Sequence, residues 1–287
     1  MRISATTRAC ALIGDPVEHS LSPVMHNAAF ENLNMDFVYL AFRIKKDELE
    51  GAMAGINGLS IHGLNVTMPH KKAVMEYLNE VDPTAKSIDA VNTILNVNGR
   101  LMGYNTDGIG ALKALKGSGI ILENKKLVLL GAGGAGKSIA FHVAQETGEL
   151  VILNRTLGKA KELADSLHRK LNRKVTAGSL SPETLMRELS DAHILINATS
   201  VGMYPRVDAS PVDQKLLRPD LCVMDIVYNP VVTNLARDAG SLGAKVVSGV
   251  DMLVYQGAAS FEIWMNRPAP VEAMKQAALS ELSRLGF

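Results

Sequence analysis

Between Asn124 and Val247 the chain repeats one pattern: a short, continuously apolar run, a turn, then a stretch of helical periodicity. Residues 126–130 (KLVLL) read as a strand and 134–145 as a helix; 150–153 is a second strand, followed by a helix over 157–171. Residues 174–177, a helix over 182–189 and a strand over 193–197 continue the series. Residues 221–227, a helix over 233–241 and a strand over 244–247 complete it. Strands that are apolar on both faces and alternate with helices of this length specify βαβ units. They build a parallel sheet with helices on both sides, which excludes all-helical and sandwich folds.

The first hundred residues alternate as well: strand 9–13, helix 23–33, strand 37–44, helix 47–54, strand 63–67. Asn98-Gly99, between apolar runs 93–97 and 100–104, is a strong two-residue hairpin signal. The hairpin breaks the βα rhythm just before Asp107, and a domain boundary is placed there. Two helices over 252–264 and 271–285 close the chain with no strand between them. With 287 residues, 47 % of them hydrophobic, there is material for two domains with full cores. The expected division is 1–107, 108–249 and a C-terminal helical part over 250–287.

The sharpest motif is Gly131-Ala132-Gly133-Gly134-Ala135-Gly136-Lys137-Ser138, directly after a strand and opening a helix. Gly131, Gly133 and Gly136 match GxGxxG, whose glycines allow a tight turn, close approach of a pyrophosphate and helix–strand contact. Gly131, Gly136, Lys137 and Ser138 also match GxxxxGK[ST], the phosphate loop of nucleoside triphosphatases, with Ser138 on Mg²⁺ and Asp225 on the acidic strand. A turn that binds nothing is the third reading. The next strand separates them. A dinucleotide site needs its second strand to end near the adenosine ribose about 20 residues on, and here it ends in Asn154-Arg155-Thr156, with Lys159 one turn further. Arg155 and Lys159 suit a 2′-phosphate rather than a bare ribose hydroxyl, so NADP is expected over NAD. Thr199-Ser-Val-Gly202, after another strand, would floor the crevice for the nicotinamide half.

Polar turns also punctuate the first hundred residues. Ser20 and Ser22 precede Pro23 at a helix start; Ser22 reads as a helix cap, and two hydroxyls there could equally cradle a carboxylate. Asn65-Val-Thr67-Met-Pro-His70-Lys71, Ala90-Val-Asn92-Thr93 and Gly103-Tyr-Asn-Thr106-Asp107 each end an apolar segment, where site residues tend to sit. Composition removes other classes. Thirty Lys and Arg against 29 Asp and Glu give no basic field for nucleic acid. Two cysteines, Cys10 and Cys222, make neither a disulfide framework nor a thiolate metal site, which suits a reducing cytoplasm. Seven scattered His supply no zinc spacing, so no metal is expected. No signal peptide and no apolar run near the ~20 residues of a membrane span is visible.

The motifs GDPVEHSLSP, NVTMPHK, AVNT, YNTDG, GAGGAGKS, NRT, NATSVGM and MLVYQGAASFEIW occur in the order and spacing of shikimate dehydrogenases, and the chain resembles that family from Gly14 to Trp264. The resemblance implies two α/β domains: an N-terminal substrate domain and a Rossmann-type NADP-binding domain, with the C-terminal helices returning to the first. It implies reversible NADPH-dependent reduction of 3-dehydroshikimate to shikimate by a cytoplasmic enzyme, with neither nucleic acid nor membrane as partner and a homodimer open to it. Carried over by motif, Lys71 and Asp107 are the catalytic pair. Ser20 and Ser22 hold the substrate carboxylate, and Thr67, Asn92, Tyr228 and Gln256 hold the rest of the substrate. The cofactor falls to Gly131, Ala132, Gly133, Gly134, Ala135, Gly136, Asn154, Arg155, Thr156, Lys159, Thr199, Ile226, Gly249 and Met252. Which of Lys71 and Asp107 moves the proton stays open. Two departures stand out: the family often has Arg where this chain has Lys159, and an aromatic is also common at His70, which reads as local packing. The rival functions are a broader quinate/shikimate enzyme using NAD or NADP, a phosphate-loop triphosphatase, and an NADP sensor without catalysis.

Overall fold

The computed structural model describes residues 3–286. Two compact units divide the chain, one running through Thr106 and rejoined by Val254–Leu285, the other spanning Asp107–Leu253. In the first unit the elements are β1 (Arg8–Gly14), α1 (Ser22–Asn32), β2 (Phe37–Arg43), α2 (Leu49–Gly58), β3 (Gly63–Val66), β4 (Glu80–Val81), α3 (Pro83–Ile88), β5 (Thr93–Val97) and β6 (Arg100–Tyr104). Its sheet has the order β2-β1-β3-β5-β6-β4. β2, β1 and β3 run parallel, while β5 and β6 form the antiparallel hairpin expected from Asn98-Gly99. Asn98 and Gly99 both take positive φ, as that turn requires.

Two elements of the first unit differ from the sequence pattern. The helix read over 47–54 is a short 3₁₀ turn followed by α2, which runs on to Gly58. α3 escaped the sequence reading although its signal was present: Asp82 accepts the backbone N–H groups of Thr84 and Ala85 at 2.8 and 3.2 Å, and Pro83 stands in the first turn.

The second unit holds α4 (Asp107–Gly117), β7 (Lys126–Leu130), α5 (Gly134–Val143), β8 (Glu149–Asn154), α6 (Leu157–Leu171), β9 (Val175–Ser179), α7 (Pro182–Leu189), β10 (Ile194–Asn197), β11 (Cys222–Asp225), α8 (Asn234–Ser241) and β12 (Lys245–Val247). Its sheet order is β12-β11-β10-β7-β8-β9, parallel at every pairing. Counted from β7 this is 3-2-1-4-5-6 read from the other edge, the doubly wound nucleotide-binding order, with its reversal between β7 and β10. Leu127, Val128, Leu129 and Leu130 are wholly buried, as a strand covered on both faces must be. β11 stops at Asp225 rather than at 227, because the Asp225 carboxylate accepts the Val227 N–H and turns the chain out of the ladder.

The last two helices are α9 (Gly249–Met265) and α10 (Val271–Arg284). From Val254 they belong to the first unit. Trp264 donates its indole N–H to the Ile94 carbonyl at 2.9 Å, and its own carbonyl meets His62 Nε2 at 2.9 Å. Gly63 is required beneath it, since a Cβ there would lie 2.6 Å from the indole ring. One anchor of the returning C-terminal helices is thus a tryptophan seated over a glycine in β3.

Candidate active site

In the second unit, Gly131 leaves β7 with φ +104°, and a Cβ on it would press on the Ala198 carbonyl at 2.8 Å. A Cβ on Gly136 would meet the Gly131 carbonyl oxygen at 2.3 Å. Both glycines are demanded by the turn itself. Gly133 is not: it caps α5 with φ −80°, and a Cβ on it would meet nothing within 4 Å. Gly133 and Gly134 are exposed at the helix N-terminus while Gly131 and Gly136 are buried. The first turn of α5 therefore presents open space and unpaired N–H groups in a favourable dipole field, which is what a pyrophosphate fits.

The phosphate-loop triphosphatase reading does not survive. Ser138 is fully buried, and its hydroxyl accepts the Gly108 N–H at 2.8 Å, pinning α4 to α5. Asp225, the would-be acidic partner, is spent on Asn197, Val227 and Thr233.

At the end of β8, Asn154 accepts the Ala132 N–H at 3.2 Å and donates to the Thr156 carbonyl at 2.9 Å, tying the glycine turn to the following loop. Arg155, Thr156 and Lys159 lie exposed beside it, and Thr156 occupies the cap position of α6. Across the sheet's reversal, Asn197 accepts both the N–H and the hydroxyl of Thr199, at 3.1 and 2.7 Å. Its amide nitrogen donates to Asp225 at 3.0 Å, and Asp225 also takes the Thr233 hydroxyl at 2.7 Å. Burial nevertheless holds the Asp225 carboxyl above its ordinary range. This buried knot fixes Thr199, Ile226 and Val227 together. Gly249 seats against them, its absent Cβ leaving room for the Val227 carbonyl at 2.4 Å. Met252 is buried one turn further along α9. Tyr228 is half-buried, and desolvation raises its phenol.

In the first unit, α1 begins at Ser22 itself, with Leu21 in the cap position and no side chain capping it. The cap expected of Ser22 is thus corrected: Ser20 Oγ accepts the Ser22 N–H at 3.2 Å, and the Ser22 side chain is buried. Thr67 follows β3, its N–H on the Ile13 carbonyl and its methyl filling the space that Gly14 leaves. Lys71 sits half-buried in the next turn. His70, wholly buried, meets the Ile44 carbonyl through Nε2 at 2.6 Å, while the Lys71 carbonyl takes the Val91 N–H at 2.8 Å. His70 therefore packs, as expected, and anchors the turn that carries Lys71. Asp107 is buried at the first position of α4, where a helix N-terminus favours a carboxylate.

Asn92 is the best-held residue of the set. Its Oδ1 accepts the Thr106 N–H at 2.8 Å and the Thr93 hydroxyl at 2.9 Å. Its Nδ2 lies 3.0 Å from Thr106 Oγ1 and 3.4 Å from Gln256 Oε1, so two expected substrate residues meet here. Behind them stand groups to which the sequence reading gave no role: Tyr39, Asn65, Thr93, Thr106 and Ser260. Ser260 had a findable signal, four residues after Gln256 on one helix face. Tyr39 had none, since in sequence it is one more aromatic in a strand.

A doubly wound sheet with an open glycine turn in one unit, and a second α/β unit lined by hydroxyls and amides, define a dinucleotide-dependent enzyme of two α/β domains. Family models agree along the chain. The shikimate dehydrogenase substrate binding domain matches residues 12–94, shikimate/quinate 5-dehydrogenase matches 113–237, and the shikimate 5′-dehydrogenase C-terminal domain matches 249–279. A shikimate dehydrogenase (NADP(+)) of Methanopyrus kandleri is 49 % identical over 98 % of both chains. A shikimate dehydrogenase crystallised with NADP⁺ superposes with a TM-score of 0.92 at 42 % identity, covering 98 % of both chains. The Thermus thermophilus enzyme, solved with NADP(H) and shikimate, gives 0.86 at 37 % identity over 95 % of this chain and 99 % of its own. The chain belongs to the shikimate dehydrogenase family, and is an oxidoreductase.

Proposed function

We propose that this chain catalyses the reversible NADPH-dependent reduction of 3-dehydroshikimate to shikimate, with Lys71 and Asp107 exchanging the proton. The observation that carries the reading is likeness over 98 % of the chain to proteins named for this reaction and this cofactor. NADPH supplies the hydride when bound. The open first turn of α5 would take the pyrophosphate, and Arg155, Thr156 and Lys159 the 2′-phosphate. Ser20 and Ser22 would hold the substrate carboxylate, with Thr67, Asn92, Tyr228 and Gln256 around the ring. Lys71, on a turn anchored by His70, and Asp107, at a helix N-terminus, supply a cation and an anion for a hydroxyl that gains or loses a proton.

Purified protein offered shikimate or quinate, each with NADP⁺ or NAD⁺, tests this by nicotinamide absorbance. Fast turnover with shikimate and NADP⁺ alone is expected. Comparable rates with quinate or NAD⁺ would move the chain to the broader-specificity branch, and no turnover in any mixture would leave an NADP-binding module without catalysis. Among the described residues no helix is long and apolar enough to cross a membrane. The reading extends to a cytoplasmic homodimer; a solution mass of 30.8 kDa, that of one chain, would remove the dimer.

A further inference from the structure

We propose that Thr93 and Ser260 are positioning residues that lock the Asn92 amide in one orientation, nitrogen toward Gln256, so that Asn92 meets the substrate only as a hydrogen-bond donor. This rests on the function proposed above.

A backbone N–H can only donate, and the Thr106 N–H lies 2.8 Å from Asn92 Oδ1. That contact alone identifies the inward atom as oxygen. Each hydroxyl in the cluster has a single proton to give. Thr93 gives its own to Asn92 Oδ1 at 2.9 Å. The 2.8 Å contact between Thr93 and Ser260 then needs the Ser260 proton. The other two acceptors open to it, the Gln256 carbonyl at 3.1 Å and the Thr106 hydroxyl at 3.2 Å, are both longer. The order therefore runs from Ser260 to Thr93 to Asn92.

Asn65 braces the same groups. Its oxygen is taken by the Tyr39 phenol at 2.7 Å, so its amide nitrogen faces Thr93, Ser260 and the Asn92 carbonyl at 3.1–3.2 Å. Thr93 and Ser260 are wholly buried, and in so dry a place an inverted amide would set donor against donor. The longest contact of the set, Asn92 Nδ2 to Gln256 at 3.4 Å, is the one a ligand oxygen can take over. A substrate hydroxyl that accepts from Asn92 keeps its own proton available for transfer.

The test compares Thr93→Val, Thr93→Ser and Ser260→Ala with the wild type. It reads shikimate affinity by titration calorimetry, KM for shikimate and NADP⁺ separately, and Tm. Thr93→Val should weaken shikimate about tenfold, the worth of one buried hydrogen bond left unmade, and Ser260→Ala about threefold. KM for NADP⁺ should stay put, and Thr93→Ser should restore the shikimate values. Asn92→Asp, which swaps the donor for an acceptor, should weaken shikimate more than Asn92→Ala does. Unchanged shikimate affinity in Thr93→Val, equal weakening of both ligands, or Asn92→Asp binding as well as Asn92→Ala would overturn the proposal. Wild-type turnover of shikimate is measured beside these: its absence would overturn the function, whereas normal turnover with an indifferent Thr93→Val overturns only the orientation.

Discussion

The two sheets solve the problem of placing polar groups in opposite ways. In the parallel sheet the strand interiors are apolar, and the chemistry sits where strands end: the turn after Leu130, the loop after Asn154, the knot around Asn197 and Asp225. In the mixed sheet the polar groups are ladder residues. Asn65 and Thr93 face each other in register across β3 and β5, both buried. The parallel sheet confines its own buried in-register pair, Asn197 and Asp225, to the last rung of β10 and β11, where the two bond each other, while the turn after β7 is backbone shaped by glycines. The mixed sheet carries a side-chain network, closed from above by Ser260 and Gln256 of α9. On the proposed function, one region would grip the cofactor through main-chain N–H groups and tolerate little change in turn shape. The other would discriminate the substrate through hydroxyls and amides and tolerate little change in polarity.

The largest expected effect breaks the comparison on the side-chain part. Lys71→Ala should lower kcat by ~10²–10⁴ if the ammonium moves the proton, with a smaller change in KM. Steady-state kinetics decide it, and a change confined to KM would make Lys71 a binding residue. On the backbone side, Gly136→Ala forces a methyl onto the Gly131 carbonyl and should cost about 1–3 kcal/mol by chemical denaturation. Lys137→Ala, one residue along, should leave turnover intact. Arg155→Ala should raise KM for NADPH by ~10–100-fold, the worth of a hydrogen bond to a charged group, while sparing NADH. Equal losses for both would show that Arg155 does not read the 2′-phosphate.

The smallest effect concerns His26. Among the described residues neither ring nitrogen has a partner, and the ring stacks on Tyr39 at 4.5 Å. Burial depresses its pKa to about 3, so the folded protein keeps the ring neutral. Its contribution is present above the unfolded value of about 6.5 and drains away as pH falls from there toward 3. His26→Phe should therefore change stability by less than about 1.5 kcal/mol at pH 7. Its Tm should gain on that of the wild type as pH is lowered from 7 to 5; a constant gap would mean that His26 does not titrate on unfolding.

The same contrast explains what could be read without coordinates. The helices over 157–171 and 182–189 and the hairpin over 93–104 fall where periodicity and turn chemistry place them. The glycine turn was legible because its geometry is local, set by Gly131 and Gly136 within six residues. The proposed substrate side was legible only as separate polar turns, since Ser20, Thr67, Asn92 and Gln256 lie far apart in sequence and nothing local joins them. Ser22 misled because a serine before a proline is an ordinary cap, whereas here the helix starts at that serine and Ser20 takes the N–H. Tyr39 was hidden for a simpler reason: a buried polar residue inside a strand gives no period of its own.

Gly133→Ala tests the division between backbone grip and side-chain selection most directly, because its methyl meets nothing in the protein. Titration of NADPH and of shikimate into this variant, with Tm recorded alongside, should show unchanged Tm, unchanged shikimate affinity and NADPH binding weakened about tenfold or more. NADPH affinity equal to the wild type would contradict the account, for it would mean that the space over the first turn of α5 is not where the cofactor sits.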